Sequence, residues 1–171
     1  MMNLNSNEVK LISTKGINYT TLNQLLAQGQ WQAADVETSK LMLQIMGKQS
    51  WHDVYPADID HFPYGDLMTI DHLWVKYSGG KFGFSVQKEI WLRVGGFLYA
   101  DYQTEQQFAT QVGWKTKKDW LEYQELTFSL NAPQGHLPLG CDNLRQVWCW
   151  ALLNRLFSRI VYYQLYDPQN N

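Results

Sequence analysis

Four histidines and two cysteines are the side chains of this chain best able to do acid–base, nucleophilic or metal chemistry. No histidine has a second histidine four positions away, and neither cysteine lies at a spacing typical of zinc sites. One pair, His136 and Cys141, is close enough in sequence to act as base and nucleophile. An ordered loop histidine and a packed cysteine explain the same residues. The remaining members are His52, His61, His72 and Cys149.

Two other motifs resemble ligand-binding loops without completing them. Asp58 and Asp60 resemble part of a divalent-metal loop, but no glutamate follows at the distance that a calcium loop requires. The run Gly79-Gly80-x-x-Gly83 lacks the Lys-Ser/Thr pair of a phosphate-binding loop. We therefore predict a protein that is not an enzyme and that has no metal site and no intrinsic cofactor.

Aromatic residues make up 15% of the chain, with 8 Trp, 10 Tyr and 7 Phe. Rigid rings next to chain breaks form broad apolar surfaces that lose little side-chain entropy on binding. The alternative is that the same rings fold back onto the helices as core, and for the set as a whole we keep both interpretations. The rings at chain breaks are Trp51, Tyr55, Phe62, Tyr64, Phe82 and Phe84.

Three of the four arginines, Arg145, Arg155 and Arg159, lie in the last predicted helix. At 100° per residue they fall within an arc of roughly 80°, on the side that also carries Trp148 and Leu152. Guanidinium groups beside apolar surface suit a flat apolar ligand with carboxylates at its edge. A solvated helix face with arginine stems lying along it is the alternative.

The composition limits the class of protein. A chain of 171 residues favours one domain, and 45% hydrophobic with 18% charged residues excludes a disordered polyelectrolyte. A net charge of −2 argues against nucleic acid as a partner. The N-terminus lacks the pattern of a signal peptide, and the longest apolar run has about seven residues. We expect a cytoplasmic protein without a transmembrane segment, and peripheral membrane association is left open.

Hydrophobic spacing predicts a chain of helices separated by glycines. Residues 47–66 are predicted to be a loop, and alternation at Phe82–Val86 and Leu126–Leu130 allows a small β-hairpin. We divide the chain into a flexible arm at 1–16, a helical domain at 17–166 and a tail at 167–171. The predicted helices run from Asn18 to Gly29, Trp31 to Gly47, Asp66 (as N-cap) to Ser78, Ser85 (as N-cap) to Gly95, Thr104 to Gly113, and Asp142 (as N-cap) to Ile160.

Several motifs, in order over about residues 19 to 145, resemble one family. They are Leu25-Leu26-x-x-Gly29-x-Trp31-x-x-Ala34-Asp35-x-Glu37-Thr38, Phe62-Pro63-x-x-Asp66-Leu67, Ile70-Asp71-x-Leu73-Trp74, Phe82-Gly83-Phe84-Ser85-Val86-Gln87, Gly113-Trp114 and Ala132-Pro133-x-Gly135-His136-Leu137-Pro138. This is the genomes-uncoupled-four family of tetrapyrrole-binding regulators of magnesium chelatase in chlorophyll synthesis.

The resemblance implies a single all-α domain shaped like a cupped hand, with long ordered loops, which resolves the strand ambiguity against strands. It implies a concave palm that holds protoporphyrin IX or its magnesium derivative. The partner that it implies is the large subunit of magnesium chelatase, and the protein would regulate that enzyme or present its substrate. The chain is expected to lack the N-terminal helical bundle that some members carry.

Carried over by position, the resemblance assigns the palm residues to four groups. One wall contains Tyr55, Ile59 and Phe62, and the base contains Leu67, Ile70, Leu73, Trp74, Phe82, Phe84, Val86 and Ile90. The opposite, mobile wall contains Tyr123, Leu126, Phe128, Leu130, Pro133, His136 and Leu137. Arg145 matches an arginine that meets a propionate, and Trp148 stands beside it.

The chain departs from the family pattern at three of these positions. Trp148 takes the place of a second propionate-facing arginine, and Leu126 and Pro56 take the places of aromatic residues. A ring at Trp148 can recover part of the lost affinity by stacking on the ligand. Two alternatives therefore remain for the same surface: a protein-interaction or signalling module, and a binder of linear tetrapyrroles (bilins).

Overall fold

A computed structural model describes residues 11, 13–97, 100–140 and 147–166, with the backbone alone described at 147–149 and 164–166. These residues form seven α-helices and two short 3-10 helices, at Trp51–Asp53 and Tyr123–Glu125, and they contain no strand. The all-α expectation is therefore confirmed. The helices are α1 Thr20–Ala27, α2 Trp31–Met46, α3 Pro56–Asp60, α4 Tyr64–Tyr77, α5 Phe84–Arg93, α6 Tyr102–Gln111 and α7 Val147–Tyr166.

The first two helices form the predicted helical hairpin. Gly29 separates them with φ +67°, and Gly47 ends α2 in the left-handed conformation that glycine adopts without steric cost. The apolar positions of both helices are buried at three- and four-residue spacing, so periodicity and glycine placement identified this unit correctly. α1 packs against α2 and α4, while α7 packs against α3 and α5.

Alternating apolar residues misled the strand prediction. Phe82 and Phe84 are both fully buried, and between them Gly83 turns the chain at φ +134° so that α5 begins at Phe84. In the second segment Leu126 is buried and Leu130 is exposed, but the backbone follows turns rather than a strand. An isolated antiparallel β-bridge between Lys115 and Trp120 lies outside both segments.

The predicted loop at 47–66 contains helical structure that the sequence analysis missed. Pro56 occupies the first position of α3, where its missing N–H costs nothing, so this proline begins a helix instead of preventing one. The Asp58 side chain accepts a hydrogen bond from the Tyr55 N–H at 2.8 Å and so stabilises the start of α3. Residues 47–63 therefore form a partly helical, hydrogen-bonded segment between α2 and α4.

Two of the predicted N-caps are wrong. α4 begins at Tyr64, and Asp66 lies in its first turn, buried, where it accepts hydrogen bonds from the Tyr19 hydroxyl at 2.6 Å and from Thr14. α5 begins one residue before Ser85, and the carboxylate of Asp71 on α4 accepts from the Ser85 N–H at 2.8 Å. A carboxylate at a helix N-terminus satisfies donors whether or not it belongs to that helix. The predicted helix start at Thr104 is also wrong, because α6 begins at Tyr102 and the Asp101 side chain caps it by accepting from the Thr104 N–H at 2.8 Å. The last predicted cap, Asp142, lies outside the described residues.

Large rings supply much of the core. Trp74, Trp91 and Trp114 are almost fully buried, and Phe108 meets Trp91 and Trp114 edge to face at 5.6 Å. The indole N–H of Trp74 donates to Thr38 at 2.9 Å, and that of Trp114 donates to the His136 carbonyl at 2.7 Å. Buried indoles need such acceptors, so these bonds also fix how the helices and loops meet.

We predict that Gly83→Ala destabilises the fold far more than Gly79→Ala. A Cβ at position 83 would lie 2.8 Å from Val75 Cγ2 and 2.9 Å from Asp71 Oδ1, whereas nothing lies within 4 Å at position 79. Both glycines have positive φ, but the φ of +134° and ψ of 156° at Gly83 lie in a region that is essentially restricted to glycine, so Gly83→Ala adds a larger backbone cost to a clash of about 1–3 kcal/mol. Urea unfolding measures both variants. Equal losses of free energy would refute this role for Gly83.

Candidate ligand-binding site

Two loop segments are held against α2 one helical turn apart. We call residues 47–60 the first wall and residues 112–140 the second wall. Trp51 of the first wall donates its indole N–H to Ser39 at 2.6 Å. In the second wall, the Leu139 N–H and the Tyr123 hydroxyl donate to the Asp35 carboxylate, at 2.8 Å and 3.1 Å. Asp35 and Ser39 are four residues apart, or about 6 Å along the helix axis.

The first wall presents Tyr55 to solvent on a restrained backbone. The side chain of Tyr55 is 65% exposed, although its N–H is bonded to Asp58. Lys48 lies with its Nζ 5.5 Å from the Tyr55 ring centroid and 2.9 Å from Asp58 Oδ2. Burial raises the pKa of Asp58, but the hydrogen bonds from Tyr55 and Lys48 outweigh it and hold that pKa below its usual value. An exposed ring therefore sits beside a positioned cation.

The second wall presents a pair of rings. Tyr123 and Phe128 are half-buried, with ring centroids 5.1 Å apart and planes tilted by 51°. Leu130 and Pro133 are exposed further along the same segment. The wall is tied to α5 as well as to α2, because Gln87 Nε2 donates to the carbonyls of Gly135 at 3.0 Å and Pro138 at 2.6 Å.

His136 holds the second wall together. Its Nδ1 lies 2.6 Å from the Val112 carbonyl, and its Nε2 accepts from the Thr127 N–H at 3.1 Å. Since Nε2 accepts, Nδ1 carries the proton and the ring is neutral. Burial lowers the pKa of His136, and the bond to Val112 opposes that shift. Both ring nitrogens are engaged within the wall.

Most of the other predicted palm residues are packed in the core. They have relative exposures of 7% or less, so they form the support beneath the two walls, and ligand contact with them requires neighbouring groups to move. Val86 is half-buried on α5. The core members are Ile59, Phe62, Leu67, Ile70, Leu73, Trp74, Phe82, Phe84, Ile90, Leu126 and Leu137.

Asp35 is a site residue that the sequence analysis did not single out. It is 4% exposed, and burial raises its pKa to about 6, although the bonds from Leu139 and Tyr123 work in the opposite direction. The sequence pattern could have identified Asp35, because it lies next to Ala34 and Thr38 on the buried face of α2. An acidic residue on the buried side of a helix needs donors from elsewhere in the fold.

Two of the three arginines predicted to face a ligand carboxylate, Arg155 and Arg159, already have partners within the protein. Arg155 is paired with Asp60 at 2.6 Å, and Arg159 donates to the backbone carbonyls of Phe62, at 2.7 Å, and Asp60. Arg159 also stacks over Tyr163 at 4.9 Å. Both guanidinium groups therefore fasten α7 to the end of α3, contrary to the expectation of a carboxylate-facing arc.

The remaining predictions in this region concern residues 141–149. Arg145 and Cys141 lie outside the described residues. Trp148 and Cys149 lie in the first turn of α7, where the backbone alone is described.

A cleft of about 470 Å³ lies on α2 beside the first wall. Its lining includes the apolar side chains of Val36 and Leu43, the hydroxyl of Ser39 and the ammonium groups of Lys40 and Lys48. Ligand pockets usually measure about 300–1,000 Å³ and combine apolar lining with a few polar groups. No group of three or more metal-ligating side chains occurs in the part of the chain that the structure describes.

The chain matches a family model described as GUN4-like over residues 12–156. It is 37% identical over 153 residues to a protein of Porphyra purpurea named uncharacterized protein ycf53, with 88% of this chain and 60% of that protein aligned. It is 33% identical over 133 residues to the chloroplastic tetrapyrrole-binding protein of Arabidopsis thaliana, with 71% and 48% aligned. A solved structure of GUN4 from Chlamydomonas reinhardtii superimposes with a TM-score of 0.70 at 31% identity, covering 88% of this chain and 95% of that one.

The chain thus spans about half to three-fifths of the length of the curated relatives that it matches. The described helices contain none with the length and apolar character needed to cross a bilayer.

We predict that Asp35 titrates near pH 6 and that Tyr123→Phe raises its pKa further. The tyrosine hydroxyl stabilises the ionised carboxylate, so removing it favours the protonated form. Carboxyl carbon chemical shifts followed by NMR between pH 3 and pH 8 measure both values. Tyr102→Phe, at an exposed ring on α6, is the matched control.

The sign of the stability effect follows from the same shift. The folded pKa of Asp35 lies above the ordinary value of 3.8, so the folded state holds this proton more tightly than the unfolded state. Its contribution to stability is complete below about pH 4 and is lost as the pH rises through about 6. The free energy of unfolding of Asp35→Asn should therefore lack this dependence on pH. An Asp35 that titrates near pH 4 in the folded chain would contradict both expectations.

Proposed function

The chain belongs to the GUN4-like family, and from that premise we propose that it binds a tetrapyrrole at the surface formed by the two walls and α2. The proposed ligand is protoporphyrin IX or its magnesium derivative. The name of the Arabidopsis thaliana relative supports the ligand class. The exposed ring of Tyr55 and the half-buried rings of Tyr123 and Phe128 support the location of the site.

One observation carries the proposal: two ring-bearing segments are separately anchored on one face of α2, at Ser39 and at Asp35. A porphyrin is a flat apolar macrocycle, so rings that approach it from two sides bury its faces. With about 40 heavy atoms and roughly 0.3 kcal/mol per atom, binding reaches at best about −12 kcal/mol. Tyr55 supplies the first side, and Tyr123 with Phe128 supplies the second.

Deep entry of the macrocycle requires the second wall to move. Leu126 and the base residue Phe84 are buried, whereas the wall meets α2 through two hydrogen bonds to one carboxylate. A net contribution of about 1.5–3 kcal/mol is typical for a hydrogen bond to a charged group. Burial of the macrocycle is large enough to offset such a loss. The proposed mode is therefore opening of the second wall at Asp35.

The proposed role is regulation of magnesium chelatase, or presentation of its porphyrin substrate, without catalysis by this chain. His136 supports a binding role because both of its ring nitrogens are committed to Val112 and Thr127. Asp58 and Asp60 are likewise paired with Lys48 and Arg155. Arg145 is proposed, by family resemblance, to meet one propionate of the ligand.

We predict that Tyr55→Ala and Phe128→Ala each weaken porphyrin binding about tenfold, or about 1.4 kcal/mol. Titration with deuteroporphyrin, followed by the Soret band and by tryptophan quenching, gives the dissociation constants. Tyr102→Ala removes a ring that is 60% exposed at the start of α6, outside both walls, and should bind like the unaltered chain. No spectral change at low micromolar porphyrin would reject the proposal and favour a protein-interaction module.

A second prediction concerns the enzyme. Adding the unaltered chain to magnesium chelatase should increase the rate of magnesium insertion at limiting porphyrin, and Tyr55→Ala should need more porphyrin for the same increase. Fluorescence of the magnesium porphyrin measures the rate. If the unaltered chain binds porphyrin but leaves the rate unchanged, the ligand assignment stands and the chelatase partnership falls.

A further inference from the structure

We propose that Lys40 and Lys48 on the α2 cleft receive a carboxylate of the bound tetrapyrrole and so determine its orientation. The inference rests on the proposed function. It assigns a polar subsite to a cleft of about 470 Å³ whose lining contains two cations and no acidic residue. The apolar side chains of Val36 and Leu43 continue the surface beneath them.

The need for such a subsite arises from α7. Arg155 and Arg159 are bonded to Asp60 and to backbone carbonyls at the end of α3, so using either for a ligand would break bonds that help to join α3 to α7. All three guanidinium nitrogens of Arg159 already donate, to the carbonyls of Phe62 and Asp60 and to the Tyr163 hydroxyl, whereas the exposed Arg155–Asp60 pair contributes less. Lys40 pairs with Glu37 along its own helix, and Lys48 pairs with Asp58 of α3, whose carboxylate keeps a second bond to the Tyr55 N–H.

Lys48 is placed next to the ring that we assign to the first wall. Its Nζ lies over one face of the Tyr55 ring, 5.5 Å from the centroid, so a macrocycle that stacks on the opposite face and extends past the ring brings its edge within reach of this ammonium group. The partner, Asp58, lies 2.9 Å away, and both side chains are about one-quarter exposed. Because partly wet ion pairs contribute little, a ligand carboxylate can share or replace Asp58 at Lys48. Asp58 keeps its bond to the Tyr55 N–H.

Lys40 lies at the open side of the cleft. Its side chain is 71% exposed, and it meets Glu37 at 3.4 Å along the same helix. Lysine carries its charge on a flexible stem, so two lysines can follow a propionate whose position varies between porphyrins. Each exposed contact is weak, and the pair acts together through the same carboxylate.

The test compares two porphyrins that differ in charge. Deuteroporphyrin has two carboxylates, and its dimethyl ester has none, while the macrocycle is the same. The variants are Lys40→Met, Lys48→Met and the double variant, since methionine keeps much of the apolar stem. Lys76→Met is the matched control, because Lys76 Nζ lies 5.2 Å from the Tyr77 ring on α4, away from the cleft.

Each single variant should weaken deuteroporphyrin binding about threefold to fivefold, and the double variant more than tenfold. Binding of the dimethyl ester should change less than twofold in every variant, which also shows that the Tyr55 surface remains intact. Raising the salt concentration should weaken diacid binding to the unaltered chain and affect the double variant much less.

The outcomes separate this inference from the proposed function. If the unaltered chain binds both porphyrins and the double variant binds the diacid equally well, the lysine assignment is overturned and tetrapyrrole binding stands. If diacid and ester binding fall together in the double variant, the lysines maintain the cleft instead of recognising charge, which also overturns it. If the unaltered chain binds neither porphyrin, both proposals fail.

Discussion

The buried carboxylate of Asp35 is the interaction around which the second wall is organised. A charge removed from water is costly unless donors surround it, and here the donors come from residues 88 and 104 positions further along the chain. These two hydrogen bonds therefore hold the second wall with Tyr123 and the Leu139 N–H against α2. Burial outweighs these two hydrogen bonds, so the pKa of Asp35 stays above its usual value.

The two walls differ in how firmly they are held. The first wall contains a helix, α3, that Arg155 and Arg159 clamp to α7, and Trp51 anchors it to Ser39. The second wall has a 3-10 helix at Tyr123–Glu125; its irregular backbone is held by side chains that accept from or donate to it, and by buried apolar residues such as Trp114 and Leu137. Gln87 and His136 are the chief examples of such hydrogen-bonding side chains. A ligand that enters between the walls thus meets one side that contains a clamped helix and one side of irregular backbone held by polar contacts and buried apolar residues.

Local patterns predicted helices well where one face of the helix is buried and the other is exposed. α1 and α2 obeyed the periodic rule because one face of each is covered by neighbours and glycines end them. The patterns failed at Phe82–Phe84, where Gly83 lets two adjacent turns bury both rings, and at Pro56, which starts a helix. They also failed at the caps of α4 and α5, since Asp66 and Asp71 bond to groups that are distant in sequence.

By itself the sequence determined the first two helices through apolar spacing, the family and with it the all-helical fold through the resemblance of its motifs, and the set of rings from which a binding surface is drawn. Spacing and motifs are properties of neighbouring residues. Tertiary structure alone decided which rings face solvent. It left Tyr55 exposed while Phe84 and Trp74 became core, and it committed Arg155 and Arg159 to α3 while Lys40 and Lys48 line the cleft. The physical reason is that burial and ion pairing depend on distant segments meeting, and no local pattern encodes which partner arrives.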